Sequence, residues 1–323
     1  MLIAQTKLGE RKLASACFKK EKEQYFCPSC QKEVLLKKGS VKRAHFAHRH
    51  LTTCAAFSEG ETVEHLAGKF LLAEWTKNGE LEAYLPELKQ RPDVRWGQIA
   101  FEFQCSPLPL ERFLERTTNY QKHDYVPWWL LGQALLPKGA FSQLVKACCF
   151  YHSKDGIQFW GMDVKSEAIL LYHQIAWHFA YPVYYEIQRF DLCKYSVREV
   201  LATPVLAKKR VLPWQISHFK QVLTKKLYYQ NPTILKLQTK IYELGGHLLY
   251  LPEWCYRNSR YFFFFEEELL YLRYAYCQTE SFVAWKEIVT PFVKPWSYPF
   301  IPLEKILTEV YAECVSLQKI IFF

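Results

Sequence analysis

In Phe101-Glu102-Phe103-Gln104 apolar and polar positions alternate, the period of a strand with both Phe on one face and Glu102 and Gln104 together on the other. Upstream, Arg91-Pro92-Asp93-Val94 reads as a second extended segment, and Trp96-Gly97-Gln98 as the hairpin turn between the two. Earlier still, Ser58-Glu59-Gly60-Glu61 has capping-box spacing and predicts a helix running to Asn78-Gly79. Its apolar face holds Val63, Leu66, Ala67, Phe70 and Leu71, with Glu64 at the margin, and Gly68 permits close approach of another group. Ser106-Pro107-Leu108-Pro109 leads into a helical segment, and Val126-Pro127-Trp128-Trp129-Leu130-Leu131 reads as a buried strand, the order expected of a crossover in an α/β core. Lys154-Asp155-Gly156 predicts a further hairpin between Cys149–His152 and Ile157–Trp160.

The flanks read differently. Leu2–Thr6, Arg11–Ala16, Glu33–Leu36 and Val41–Phe46 look extended and separated by turns, a small β-rich ribbon. The C-terminal half predicts helices over Pro232–Leu244, ended by Gly245-Gly246, over Tyr261–Tyr276 and over Leu303–Leu317, with Phe262–Phe265 a buried helix or a partner surface. The expected organisation is a β-rich module over residues 1–57, an α/β domain over 58–163 and a mainly α-helical domain over 164–323.

Charge sharpens this division. The 323-residue chain carries +10 overall, but residues 1–58 hold 12 Lys+Arg against 4 Asp+Glu, or +8, whereas residues 59–150 hold 10 against 12, or −2. A slightly acidic region beside a basic one suits a cation site next to a polyanion-binding surface. A second basic block spans Pro204–Lys240, with Lys208, Lys209, Arg210, Lys225 and Lys226, no acidic residue, and Trp214, Phe219, Tyr228 and Tyr229 interleaved. Such a block can track phosphates while its rings stack on unpaired bases of single-stranded DNA; the alternative is a helix with core aromatics and solvated lysines. No run of 18 apolar residues and no secretory leader is present, and eleven Cys spread over the chain suit a reducing compartment, so a cytoplasmic protein with no membrane partner is expected. No Gly-rich phosphate loop supports ATP-driven action.

Two constellations carry chemistry. Pairing of the two extended segments brings the carboxylates of Asp93 and Glu102 to one divalent cation; a few oxygens plus water suit magnesium, and phosphodiester cleavage follows naturally. The alternative is a pair of exposed acids on a half-solvated hairpin. In the next helix Arg112, Arg116 and Tyr120 recur at turn spacing, either a stripe for DNA phosphates or an ordinary solvated face. Before the core, Cys27-Pro28-Ser29-Cys30 precedes His45-Phe46-Ala47-His48 and Cys54, which predicts zinc on Cys27, Cys30, His45 and His48 with Cys54 as substitute. A redox pair or unliganded thiols are the alternatives, but the βαβ context of a redox Cys-x-x-Cys is missing. Bound zinc would contribute on the order of 10 kcal/mol to a ribbon with little core of its own.

The helix with Glu64, the strand with Pro92-Asp93 and the strand with Glu102-x-Gln104 together resemble the restriction-endonuclease-like superfamily, whose signature is Pro-Asp followed by Asp/Glu-x-Lys. Within it, Glu64-His65, Arg91-Pro92-Asp93, Glu102-Phe103-Gln104-Cys105-Ser106, Arg116-Thr117 and Tyr120 resemble the competence protein CoiA family over roughly residues 1–150. The resemblance implies a restriction-endonuclease-like core in which Asp93 and Glu102 ligate a catalytic magnesium or manganese ion with the Phe103 carbonyl, and Glu64 supports the metal or its waters. Gln104 departs from the pattern: an amide orients water but brings no positive charge, and loss of one such electrostatic contributor typically costs about 100- to 1,000-fold in rate. A nuclease processing transforming DNA in natural competence, or promoting its recombination, is therefore expected. The rival is a non-catalytic recombination mediator that binds single-stranded DNA, a recombinase or other competence proteins through the basic C-terminal half.

Overall fold

Five short strands come first: β1 (Ile3–Thr6), β2 (Arg11–Leu13), β3 (Tyr25–Phe26), β4 (Glu33–Lys37) and β5 (His45–His48). They pair antiparallel in the order β2-β1-β3-β4-β5 around a small core of Ala4, Tyr25, Val34 and Phe46. The structure, a computed structural model, describes residues 1–18, 23–39, 44–49, 54, 62–206, 212–293 and 295–319.

The second layer system begins with α1 (Val63–Thr76), β6 (Glu80–Leu81), β7 (Val94–Trp96) and β8 (Ile99–Gln104). It continues with α2 (Leu110–Lys122), β9 (Val126–Leu131), α3 (Gln143–Ala147), β10 (Phe150–His152) and β11 (Gly156–Asp163). β12 (Ala168–Ala176), β13 (Tyr184–Asp191) and α4 (Val197–Ala202) follow. The strands form one mixed sheet, ordered β13-β12-β11-β9-β8-β7-β6, with β10 paired to β11. β8 and β9 run parallel, joined by the α2 crossover, and β9 also runs parallel to β11. The remaining pairs are antiparallel.

Central β9 explains its own unbroken apolar run, because both of its faces are covered. Trp128 and Leu130 pack with Phe101, Phe103, Met162 and Ile169 beneath Leu72 and Trp75 of α1 and Val197 and Val200 of α4. Trp129 and Leu131 face the other way, joining Phe113, Phe159 and Tyr172 in a core shared with the C-terminal helices. Those helices are α5 (Ile216–Tyr228), α6 (Pro232–Glu243), α7 (Phe262–Phe265), α8 (Leu269–Cys277), α9 (Phe282–Val293) and α10 (Leu303–Lys319).

Three expectations change in detail. The division at residues 163/164 falls at the turn between β11 and β12, adjacent antiparallel strands of one sheet, so the sheet runs on to Asp191. The helix expected over Tyr261–Tyr276 is divided by a short 3-10 turn at Glu266–Glu268, where Glu266 has left-handed backbone (φ 47°). Phe262–Phe265 is buried helix. Ser58–Glu61 lies outside the described residues; Thr62 caps α1, its side chain accepting from the His65 N–H. Val63 is exposed rather than on the apolar face, and the buried stripe of α1 is Leu66, Gly68, Lys69, Leu72, Trp75 and Thr76.

Candidate active site

The hairpin forms as the residues dictate. β7 and β8 pair in the register Val94↔Phe101, Arg95↔Ala100, Trp96↔Ile99, closed by Gly97-Gln98 with Gly97 at φ 57°, a conformation Gly adopts without steric cost. The paired register stops at Val94↔Phe101, and Asp93 lies just before it, near enough to Glu102 for the two charges to interact. The Asp93 N–H donates to the Phe101 carbonyl (3.0 Å), and its own carboxylate caps the strand end, Oδ2 accepting from the Phe103 N–H (2.8 Å). On the Phe103 face, α1 approaches closely because Gly68 has no side chain: a Cβ there would stand 2.1 Å from the Phe103 ring.

That approach brings two α1 side chains onto Asp93. His65 Nε2 lies 3.1 Å from Oδ2, and Lys69 Nζ lies 3.6 Å from Oδ1. Lys69 is also paired with buried Glu82, whose other carboxylate oxygen lies 3.6 Å from Arg91 Nη1. Burial alone would raise the Asp93 pKa, but His65, Lys69 and the Phe103 N–H outweigh it and hold the group well below the usual carboxylate range. Glu102 behaves oppositely. Burial, aided by the Asp93 charge, pushes it up to about 7 although Arg116, Tyr120 and His65 favour its ionised form. Its Oε1 accepts from both the Tyr120 hydroxyl (2.5 Å) and the Arg116 guanidinium.

Magnesium or manganese fits this donor set on two counts. Asp93 is a buried ionised oxygen donor, and Glu102 is a buried carboxyl whose charged form still lacks sufficient compensation, which a cation would supply. Among the described residues Glu102 Oε2 takes no hydrogen bond, so one oxygen is available.

Other expected residues sit elsewhere. Glu64 Oε1 accepts from the Gln133 N–H (2.8 Å), tying α1 to the loop after β9. The Gln104 side-chain amide donates to the Ser106 carbonyl (2.8 Å). Tyr120 is fully buried, so the reading of Arg112, Arg116 and Tyr120 as one DNA-facing stripe is corrected: the latter two turn inward onto Glu102, while Arg112 pairs with Glu115 (2.7 Å). In the second basic block Lys208, Lys209 and Arg210 lie outside the described residues. Phe219 is core, Lys226 pairs with Glu267, and Lys225, Tyr228 and Tyr229 are exposed at the end of α5.

Lys69 and Glu82 are central residues with no place among the sequence expectations, while His65 and Arg91 enter there only within short stretches that carry the family resemblance. A signal for Lys69 existed: Leu66, Leu72 and Trp75 recur at multiples of three that include it, and a Lys inside an apolar stripe needs a buried partner.

Cys27, Cys30, His48 and Cys54 form a cluster that could hold a metal ion such as zinc, their ligand atoms all within 4.8 Å of one another. His45 is not among them. β5 alternates, so Phe46 and His48 share the inward face and His45 takes the outward one; Cys54, the substitute, completes the set. Cys27 Sγ to Cys54 Sγ is 3.9 Å and Cys30 Sγ to His48 Nε2 is 3.3 Å. These are non-bonded spacings too long for a disulfide and suited to tetrahedral metal with Zn–S of about 2.3 Å and Zn–N of about 2.0 Å. Burial and the nearby Arg91 charge lower the His48 pKa, favouring the neutral imidazole that ligation requires.

A β-rich Cys3His module joined to an α/β core that gathers buried carboxylates at a hairpin end is the layout of a nuclease-like protein. The chain belongs to the competence protein CoiA family. Residues 61–205 match the family described as competence protein CoiA, nuclease-like domain, and residues 8–57 that described as competence protein CoiA, N-terminal domain. Competence protein CoiA of Bacillus subtilis (strain 168) is 34% identical over 132 residues, a match covering 38% of this chain and 35% of that protein. No solved structure matches the chain. Among the described residues no helix is long and apolar enough to cross a membrane.

Proposed function

We propose that this protein hydrolyses DNA phosphodiesters at Asp93 and Glu102 with magnesium or manganese, processing transforming DNA in the cytoplasm after uptake. The observation that carries this reading is a pair of buried carboxyls at one hairpin end, Asp93 held by His65, Lys69 and the Phe103 N–H and Glu102 by Arg116 and Tyr120, inside a domain whose family is described as nuclease-like. The metal would supply a low-pKa water and charge neutralisation at the scissile phosphate. The chain's own residues do the rest. The Phe103 N–H and His65 orient Asp93, and Arg116 and Tyr120 fix Glu102 through one oxygen. Gln104, two positions after Glu102 on the same strand, is itself held by its side-chain amide on the Ser106 carbonyl.

Cleavage of labelled single-stranded, double-stranded and branched DNA with magnesium or manganese tests this, comparing the parent with Asp93→Ala and Glu102→Ala. Metal-dependent cutting abolished in both variants, with DNA binding retained, supports the nuclease. No cutting by the parent despite binding moves the function to the second reading, a mediator of recombination on single-stranded DNA. That reading is favoured by Tyr228 and Tyr229, 80% and 69% exposed beside Lys225, a surface suited to stacking and phosphate contact.

A further inference from the structure

Glu82 is among the most deeply buried acids of the chain and belongs to neither expected constellation, yet it touches both halves of the molecule. Its Oε1 accepts from the Leu2 N–H (2.9 Å) and its Oε2 from the Ile3 N–H (3.0 Å), backbone donors at the start of β1 in the Cys3His module. Arg11 of β2 adds a contact from the same side, its guanidinium donating to the Leu81 carbonyl (2.7 Å). On the other side Glu82 Oε1 pairs with Lys69, which lies against Asp93, and the Glu82 N–H donates to the Asp93 carbonyl (2.9 Å). Backbone geometry gives an independent sign: Glu82 is left-handed (φ 50°), a conformation that a non-glycine residue keeps only when its surroundings over-determine it.

The Cys3His site lies in the sheet that holds those donors. Cys27 directly follows β3, β3 pairs with β1, and Cys27 shares a core with Met1, Ala4, Val34 and Phe46. Metal on Cys27, Cys30, His48 and Cys54 would therefore set the position of β1, and through it the acceptor geometry of Glu82.

We propose that Glu82 and Lys69 form a positioning pair that couples the Cys3His module to the carboxylate centre. β1 fixes Glu82, Glu82 fixes Lys69, and Lys69 holds Asp93 where it can ligate a divalent cation. Lys69 also places on the helix a buried positive charge that the strand, carrying Gln104, lacks. The inference rests on the reading of Asp93 and Glu102 as a magnesium or manganese site.

The test is Mn2+ affinity, measured by calorimetry or electron paramagnetic resonance on the full chain. It compares the parent with Asp93→Ala, Glu82→Gln, Lys69→Met and Cys30→Ser, and the parent before and after zinc removal. Circular dichroism establishes that each protein is folded, and the double variant Lys69→Met/Glu82→Gln, which leaves neither charge unpaired, stands in if a single variant is not. The parent is expected to bind Mn2+ in an Asp93-dependent manner. Glu82→Gln, Lys69→Met, Cys30→Ser and zinc removal should each weaken that binding by about 10- to 100-fold, the usual scale for residues that support metal ligands. An Asp93-dependent affinity unmoved by any of them overturns the coupling while leaving the metal centre standing. A folded parent with no Asp93-dependent Mn2+ binding overturns the centre and the coupling with it.

Discussion

Glu102 and Asp93 are close in space and opposite in protonation behaviour, and the contrast follows from what surrounds each carboxyl. Asp93 collects a backbone N–H, His65 and Lys69, so its charge is compensated despite burial. Glu102 is buried against Arg116 and Tyr120 but also feels Asp93, which leaves its ionised form costly. Its pKa in the fold, about 7, exceeds the ordinary 4.5, so the stability it contributes is fully present below pH 4.5 and is lost as pH rises through 7. Metal binding needs the ionised form and has the reverse dependence. Mn2+ affinity should therefore rise between pH 6 and 8. Over the same interval the metal-free parent should lose melting temperature relative to Glu102→Gln, which keeps the acceptor for Tyr120 and Arg116 but cannot ionise. A melting difference between the two that is flat from pH 5 to 8 would show that Glu102 titrates normally.

At the scale of elements, two periodicities decide which side chains meet. On β5 the two-residue period puts His48 with Phe46 inside and His45 outside, and the cluster takes Cys54 instead. Zinc content by elemental analysis should stay at one ion per chain in His45→Ala and fall substantially in Cys54→Ala and His48→Ala, with a lower melting temperature for the latter two. Equal zinc loss in His45→Ala would return the site to a Cys2His2 set. On α1 the helical period sends Glu64 to the loop after β9 while His65 and Lys69, four apart on one face, reach Asp93. Their approach depends on Gly68, which admits the Phe103 ring against the helix.

At the scale of the whole molecule, the helical half and the sheet share one core. Phe113, Trp129, Leu131, Phe159 and Tyr172 pack in the same cluster as Phe219, Phe262, Phe263 and Trp285. The apolar face of β9 and α2 thus shares its core with chain from Phe219 onward, and Phe300 meets the Phe113 ring directly. A chain ending at residue 205, where the nuclease-like match stops, should expose that face, bind a hydrophobic dye and melt non-cooperatively, whereas the full chain should melt cooperatively. Cooperative melting of the shortened chain without dye binding would make the C-terminal half a separable domain.

Local patterning was sufficient for the hairpin around Gly97-Gln98, for the buried strand Val126–Leu131, for helices beginning at Pro232 and Leu303, and for the Cys27/Cys30 pair, because each depends on residues within a few positions of one another. The CoiA resemblance was likewise legible in short stretches such as Arg91-Pro92-Asp93 and Glu102-Phe103-Gln104. Hidden were the partners that meet only when distant segments pack. Lys69 and Glu82 are thirteen residues apart and join across the gap between α1 and the sheet, and Glu82 receives β1 from eighty residues upstream. Tyr120 and Arg116 likewise turn to Glu102 because α2 lies against β8 and β9. Sequence by itself determined the elements and the acids that line the hairpin; tertiary packing decided their charge partners, because burial, which makes pairing obligatory, is a property of the folded assembly of segments.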